Sequence, residues 1–241
     1  MKRAVATVLL CFVTQAQDSR IVVASRPTEP CWLRGVDRAS FLSDVERSLS
    51  KVAFVGATFE QEKRLAIFKD VVRSRGVLVY RAPSDLRWEI REPFRSTLVV
   101  AGGTVGKFEY DGAKRRTVRL GRGGDALLSI MERIRDWFGG RFDATDCTVD
   151  AARKPAPLIR LAPRGGNFGG GLKAIDVALT TELDAVLSVT IFDKSGDTTI
   201  MRFSREKGAP SPSDAVFSTT DPADYDPRSA AESVPTSRQK G

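Results

Sequence analysis

Residues 76–103, GVLVYRAPSDLRWEIREPFRSTLVVAGG, read as strand, turn, strand, turn, strand. Gly76–Arg81, Leu86–Arg91 and Ser96–Val100 each mix β-branched, aromatic and aliphatic residues with charged ones. Their joints are Ala82-Pro83-Ser84-Asp85 and Glu92-Pro93, and Gly102-Gly103 closes the third strand. Strands this short and this close in sequence pair antiparallel, because a parallel crossover needs a dozen residues or more. A sheet of this kind is expected to bury one face and solvate the other.

The pattern continues on both sides. Upstream, Ala57–Leu65 alternates. Before it, Phe41, Val45, Leu49 and Val52 recur at steps of four, four and three behind Asp37, a residue type that caps helices. An amphipathic helix therefore opens the domain. Downstream, Thr104–Tyr110 and Arg115–Leu120 flank an Asp111-Gly112 turn. A second helix is expected over Asp125–Phe138, with Leu127, Met131, Ile134 and Phe138 on one face and Gly139-Gly140 at its end. Strands resume over Phe142–Val149 and Leu158–Ala162. The series Ile175, Val177, Leu179, then Leu187, Val189, Ile191, then Ile200–Ser204 completes it. The second helix thus interrupts a sheet. Its apolar stripe must cover something apolar, and the sheet's concave face is the available surface.

Composition and the chain ends set the class. Lys2 and Arg3, the apolar run Ala4–Val13 and the small residue Ala16 have the pattern of a secretory signal peptide over residues 1–16. Removing it lowers the formal charge from +8 to +6 and leaves two cysteines, Cys31 and Cys147. In an oxidising compartment they are candidates for a disulfide; two separate thiols are the other reading. The chain has no histidine, the commonest metal ligand and general base. The one tight basic cluster, Lys114-Arg115-Arg116, falls on a hairpin and reads as solvated charge. Neither a metal site, a cofactor nor a nucleic-acid partner is expected. Residues 17–36 read as irregular and 221–241 as a disordered tail rich in Pro, Ser, Ala and charge.

The fold class is mainly β (α+β): about ten or eleven strands in one curved antiparallel sheet, with two helices. A sheet of that size must curl to bury its apolar face. The result is either a filled core or an incomplete barrel whose hollow is part helix and part ligand site.

The ordered set Phe59, Gln61, Gly76, Leu78, Pro83, Trp88 and Pro93 resembles the periplasmic outer-membrane lipoprotein carriers, the LolA-like family. Phe192-Asp193, Gly196, Thr199, Phe203 and Phe217 extend the likeness, which spans residues 37–220. The resemblance implies an incomplete β-barrel with a helical lid that carries acylated cargo across the periplasm as a monomer. Its partners would be an inner-membrane exporter and an outer-membrane acceptor. By alternation the cavity would be lined by Leu78, Tyr80, Leu86, Trp88, Ile90, Leu98, Val100, Leu187, Val189 and Ile191, and the lid by Leu127, Met131, Ile134 and Phe138. One departure stands out. The typical carriers have Arg-Pro where this chain has Ala82-Pro83, and that arginine latches the lid. Arg87 or Arg91 could replace it.

Other classes are weaker. Glu60, Glu62, Glu89 and Glu92 are the best acids for catalysis, but no activated nucleophile, zinc spacing or nucleotide loop accompanies them. A non-enzymatic role is expected. The alternatives to lipoprotein carriage are an accessory protein binding lipid, glycolipid or polyene for an envelope exporter, and a structural module of the envelope.

Overall fold

The computed structural model describes residues 29–68, 70–119, 124–142, 145, 147–164 and 171–229. The expected signal peptide, most of the segment 17–36 and the residues beyond 229 lie outside them.

The chain forms one open sheet of eleven antiparallel strands, an incomplete barrel, with two α-helices. In sequence order the elements are α1 (Gly35–Leu49), β1 (Phe54–Arg64), β2 (Val71–Arg81), β3 (Asp85–Glu92), β4 (Ser96–Ala101), β5 (Thr104–Asp111), β6 (Lys114–Thr117), α2 (Gly124–Phe138), β7 (Cys147–Ala152), β8 (Leu158–Pro163), β9 (Leu172–Leu179), β10 (Val186–Asp193) and β11 (Thr198–Arg205), followed by a short 3-10 turn at Asp214–Phe217. Every neighbour pair but one is a sequence neighbour: the order runs β6 to β1, then β11 back to β7. The exception, β1 with β11, closes the two meanders into one sheet from Ala57↔Arg205 to Arg64↔Thr198. The edge strands are β6 and β7, and α2 is the connection between them. The sheet is open because this helix is inserted where a hairpin would continue the ladder.

Both helices pack on one face of the sheet. Phe41, Val45 and Leu49 of α1 and Met131, Ile134, Trp137 and Phe138 of α2 share a single apolar core with side chains from nearly every strand. The helix α1 begins two residues before Asp37, which sits in its first turn and not at the cap. Val52 lies beyond its end.

Two expectations fail on the opposite face. Strands β2 to β4 are buried on both sides: Val77, Val79 and Val99 are as inaccessible as Leu78, Tyr80 and Val100. The cover is residues 214–229. Val216, Phe217 and Tyr225 form a second apolar core with Val77, Val79, Val99 and Phe108. The first residues of the expected disordered tail, 221–229, are therefore a packed strap. Arginines hold it through main-chain oxygens, which composition does not reveal. Arg87 donates to the carbonyls of Val216 and Ala223, Arg91 to Tyr225 and Arg115 to Pro222. Gly106 lets the strap approach, since a Cβ there would sit 2.3 Å from the Thr219 carbonyl oxygen.

Of the two readings for Cys31 and Cys147, the structure has the separate one, with no bridge between them. Trp32 pairs antiparallel with Ala152, and the amides of Cys31 and Leu33 donate to the carbonyls of Lys154 and Ala151. That register sets Cys31 opposite the far end of β7 from Cys147, six residues or roughly 20 Å along a strand. A disulfide needs Cα atoms within about 7 Å. Cys31 is exposed and Cys147 is buried.

Candidate functional site

The inner face of the barrel is an apolar floor with an aromatic centre. On β1, β2 and β3 the pairings Phe59↔Gly76 and Leu78↔Trp88 bring the residues of one face together. Phe59 packs on Trp88 with ring centroids 4.5 Å apart, and Phe203 of β11 meets Trp88 edge-on at 6.1 Å. The ring of Phe59 lies over Gly76, where a Cβ would stand 2.6 Å from it and 2.0 Å from the Glu89 carbonyl oxygen. Glycine is therefore required there: it makes room for the ring. Leu78, Tyr80, Leu86, Trp88, Leu98, Val100 and Val189 all lie on this buried face, with Ile90 and Ile191 partly buried beside it.

Leu187 does not belong to this face. The pairing of β10 with β9 shifts between Val186 and Ser188, and Leu187 is 46% exposed. The bulge adds a residue, so Val186 faces inward and Leu187 outward. Alternation counted back from Val189 misses such a slip.

The helix α2 lies against this floor. Phe138 packs edge-on against Phe203 at 5.3 Å and beside Tyr80 at 6.3 Å. Met131, Ile134 and Phe138 are buried as expected from the helical spacing. Trp137 is buried too and joins them from the next position. Phe59, Phe203 and Trp137 are among the inner-face residues missing from the expected cavity and lid, as are Ile159, Leu161, Val177 and Met201 on the other half of the sheet; Phe59 and Phe203 carry the family likeness. The side chain of Leu127 lies outside the described residues. At the helix end, Gly139 stands against the Tyr80 hydroxyl and Gly140 adopts φ 79° against α1. Only glycine takes that backbone conformation freely and fits so close to Glu46 and Leu49. Burial pushes the Tyr80 phenol above its usual range, against the nearby Arg141 and Arg135 guanidinium groups.

A crevice of about 10 Å³ lies between Leu49, Val55, Phe138, Val186 and Phe203, room for about one water molecule. A wider and more open hollow of about 500 Å³ lies between α1 and the end of α2, lined by Leu42, Glu46, Gly140 and Phe142. Phe138 occupies the aromatic centre itself, against Phe203 and Tyr80.

None of the three arginines near the missing latch faces the hollow. Arg81 pairs with Asp85 and Asp214. Arg87 is fully buried on the outer side, 2.8 Å from Glu89, and Arg91 reaches Asp226 of the strap. Glu89 is likewise turned away from the hollow: Arg87, Arg95 and Arg91 surround its carboxylate, and its surroundings are the strap. Glu60 and Glu62 are paired with arginines on the surface of β1 and β2.

The fold so built is an open antiparallel half-barrel whose edge strands are connected by a helix. The family model of the outer membrane lipoprotein carrier protein LolA matches residues 50–220, and the chain belongs to that family. No curated protein matches the sequence. Among solved structures, the chain is similar to a LolA superfamily protein from Nitrosomonas europaea, with 8% identity and TM-score 0.41 over 75% of this chain and 97% of that one. It is similar to the lipoprotein LppX of Mycobacterium tuberculosis at 11% identity and TM-score 0.37, over 69% and 94% of the two chains. It is also similar to MucB at 11% identity and TM-score 0.42, over 76% of this chain and 63% of that one.

Proposed function

We propose that this protein is a periplasmic carrier that binds the acyl chains of a lipoprotein or related lipid on its inner face and delivers them toward the outer membrane. The observation that carries the reading is the placement of α2. Its apolar residues Met131, Ile134, Trp137 and Phe138 fill the hollow of a sheet whose two free edges it connects. A helix tethered this way can leave the floor without breaking a strand ladder. The residues at stake are Leu78, Tyr80, Leu86, Trp88, Ile90, Leu98, Val100, Val189 and Ile191 beneath, with Phe59 and Phe203 at the centre. Membership of the carrier family supports the reading, as does the signal-peptide pattern at residues 1–16.

Cargo and lid compete for one surface. Burying an acyl chain is favourable by ~0.8 kcal/mol per methylene, so capture is easy and release needs a competitor. The lid supplies it. With Ala82 where the carriers' latch arginine stands, the lid is held by apolar contact instead of a charged latch, which bears on handover and leaves capture intact.

Two measurements test this. Mass spectrometry of the organic extract of protein purified from its native envelope is expected to show acylated lipid or lipopeptide. Purified, delipidated protein is expected to bind a fluorescent fatty acid saturably. No extracted lipid together with no probe binding would leave the structural-module reading in its place.

A further inference from the structure

Among the described residues, six large apolar side chains are exposed, and four of them stand at one end of the barrel. Ile67 and Phe68 form the tip between β1 and β2, at 84% and 61% exposure, and Val72 follows at the start of β2. Phe94, 84% exposed, lies in the next tip at the same end, between β3 and β4. The β1–β2 hairpin projects beyond β3. Arg75 already pairs with Glu92, the last residue of β3, while β1 and β2 continue paired out to Arg64↔Val71.

The flanks of this tip carry exposed cations, with Glu60, Glu62, Glu92 and Asp197, which accepts from the Ala66 amide, among them. From Lys63 to Arg75 the sequence KRLAIFKDVVRSR holds five cations and one acid. Arg64, Arg73 and Arg75 are 63–73% exposed and reach Glu62 and Glu60, further back on β1, only at 3.4–3.7 Å. These are loose, solvated pairs of small net value. A projecting aliphatic and aromatic tip flanked by exposed cations has the chemistry of a membrane interface. Apolar side chains enter the headgroup–acyl boundary while lysines and arginines meet anionic headgroups. A protein groove would instead call for a tip whose polar groups are fixed in partnered geometry.

We infer that the β1–β2 tip, led by Ile67 and Phe68, docks the protein on an anionic membrane surface and so sets which mouth of the barrel faces the bilayer. The inference rests on the carrier reading for its purpose but not for its observation. Strand alternation supplies the path onward. The ladder of β1 with β2 is unbroken, so Val72 lies on the same face as Ser74, Gly76, Leu78 and Tyr80. An acyl chain drawn from the bilayer beside Phe68 would meet Val72 and then the aromatic floor.

The test is sedimentation with vesicles, using the mature protein. Phosphatidylglycerol-containing phosphatidylcholine vesicles are compared with pure phosphatidylcholine. Wild type is expected to bind the anionic vesicles and to lose that binding in high salt. I67D/F68D is expected to bind about tenfold more weakly, which corresponds to 1.4 kcal/mol. A separate F68W variant is expected to show a blue-shifted emission on the anionic vesicles alone. Fatty-acid uptake from solution is measured in parallel, with uptake by I67D/F68D expected to match wild type. Wild type that takes up fatty acid yet ignores anionic vesicles, or I67D/F68D that binds them unchanged, overturns the docking inference alone. Vesicle binding without any fatty-acid uptake overturns the carrier reading and leaves the docking surface. Photo-crosslinking from position 68 to an envelope protein, with no vesicle binding, makes the tip a protein contact and ends the proposal.

Discussion

Glu89 shows how much of this structure is decided by single side chains with two-sided surroundings. Its neighbours Trp88 and Ile90 face the hollow, while its carboxylate, fully buried, accepts from Arg87 at 2.8 Å and from Arg95 at 2.9 Å. A buried pair of this kind adds little over well-packed apolar residues, but removing one partner strands the other's charge. Glu89→Ala is therefore expected to destabilise the fold by about 3–5 kcal/mol in urea unfolding, with Arg87 left to the two strap carbonyls. A loss of less than about 0.5 kcal/mol, the range of an ordinary surface substitution, would mean that the pair is solvated in solution. From sequence, Glu89 reads as one of four acids on alternating strands. Nothing in the alternation shows that its face is covered, because the cover comes from residues 214–229, far along the chain. The inner-face residues were legible for the opposite reason. They depend on period-two alternation within strands of unbroken register, and Leu78, Tyr80, Leu86, Trp88, Leu98 and Val100 all keep it. Leu187 fails beside a bulge, a local event that leaves no apolar signature.

At the scale of elements, α2 and the strap 214–229 are held in contrasting ways. The helix was readable because its hold is a stripe of apolar residues at helical spacing. The strap was not, because its hold is charge and main-chain hydrogen bonding on a Pro- and Asp-rich run with no period. Four acids of the strap, Asp214, Asp221, Asp224 and Asp226, meet Arg81, Arg115, Arg95 and Arg91 in turn. The hydrogen bond from Arg95 holds the Asp224 carboxyl below its usual range. Burial works to raise Asp226, but the hydrogen bonds from Arg228 and Arg91 outweigh it and leave it lowered. A carboxylate whose folded pKa is depressed stabilises the fold above its unfolded value and loses that contribution as pH falls through the folded one. The strap is therefore expected to loosen below about pH 4, and to loosen at neutral pH in high salt, since these pairs are partly exposed and screened. It stays attached in both cases, because the arginine bonds to the carbonyls of Val216, Ala223 and Tyr225 do not titrate. Hydrogen exchange of residues 214–229, corrected for intrinsic rates, checks this. Equal protection at pH 3 and pH 7 would assign the hold to the apolar contacts of Val216, Phe217 and Tyr225 alone.

For the whole molecule, the proposed function makes the balance between lid and cargo on one floor the central quantity. Burying Met131, Ile134, Trp137 and Phe138 is worth about 1.5–3 kcal/mol each, hence roughly 6–12 kcal/mol for the lid face. An acyl chain of about fifteen methylenes gains roughly 12 kcal/mol on the same surface. On that reading the two are close enough for exchange to run in either direction with modest help. They differ in one respect that can be measured. The cargo's share grows by about fourfold in affinity per methylene, whereas the lid's share is a constant subtracted from every chain length. Across a series of saturated fatty acids, wild type is expected to show that slope with short chains held out altogether. Ile134→Ala weakens the lid's hold without adding charge, so it is expected to tighten every chain by a common factor of tenfold or more and leave the slope unchanged. Circular dichroism and urea unfolding establish that the variant is folded. If Ile134→Ala instead weakens binding, and more so for longer chains, then Ile134 contacts the cargo in the loaded state and the helix is a wall of the site, with no role as its competitor.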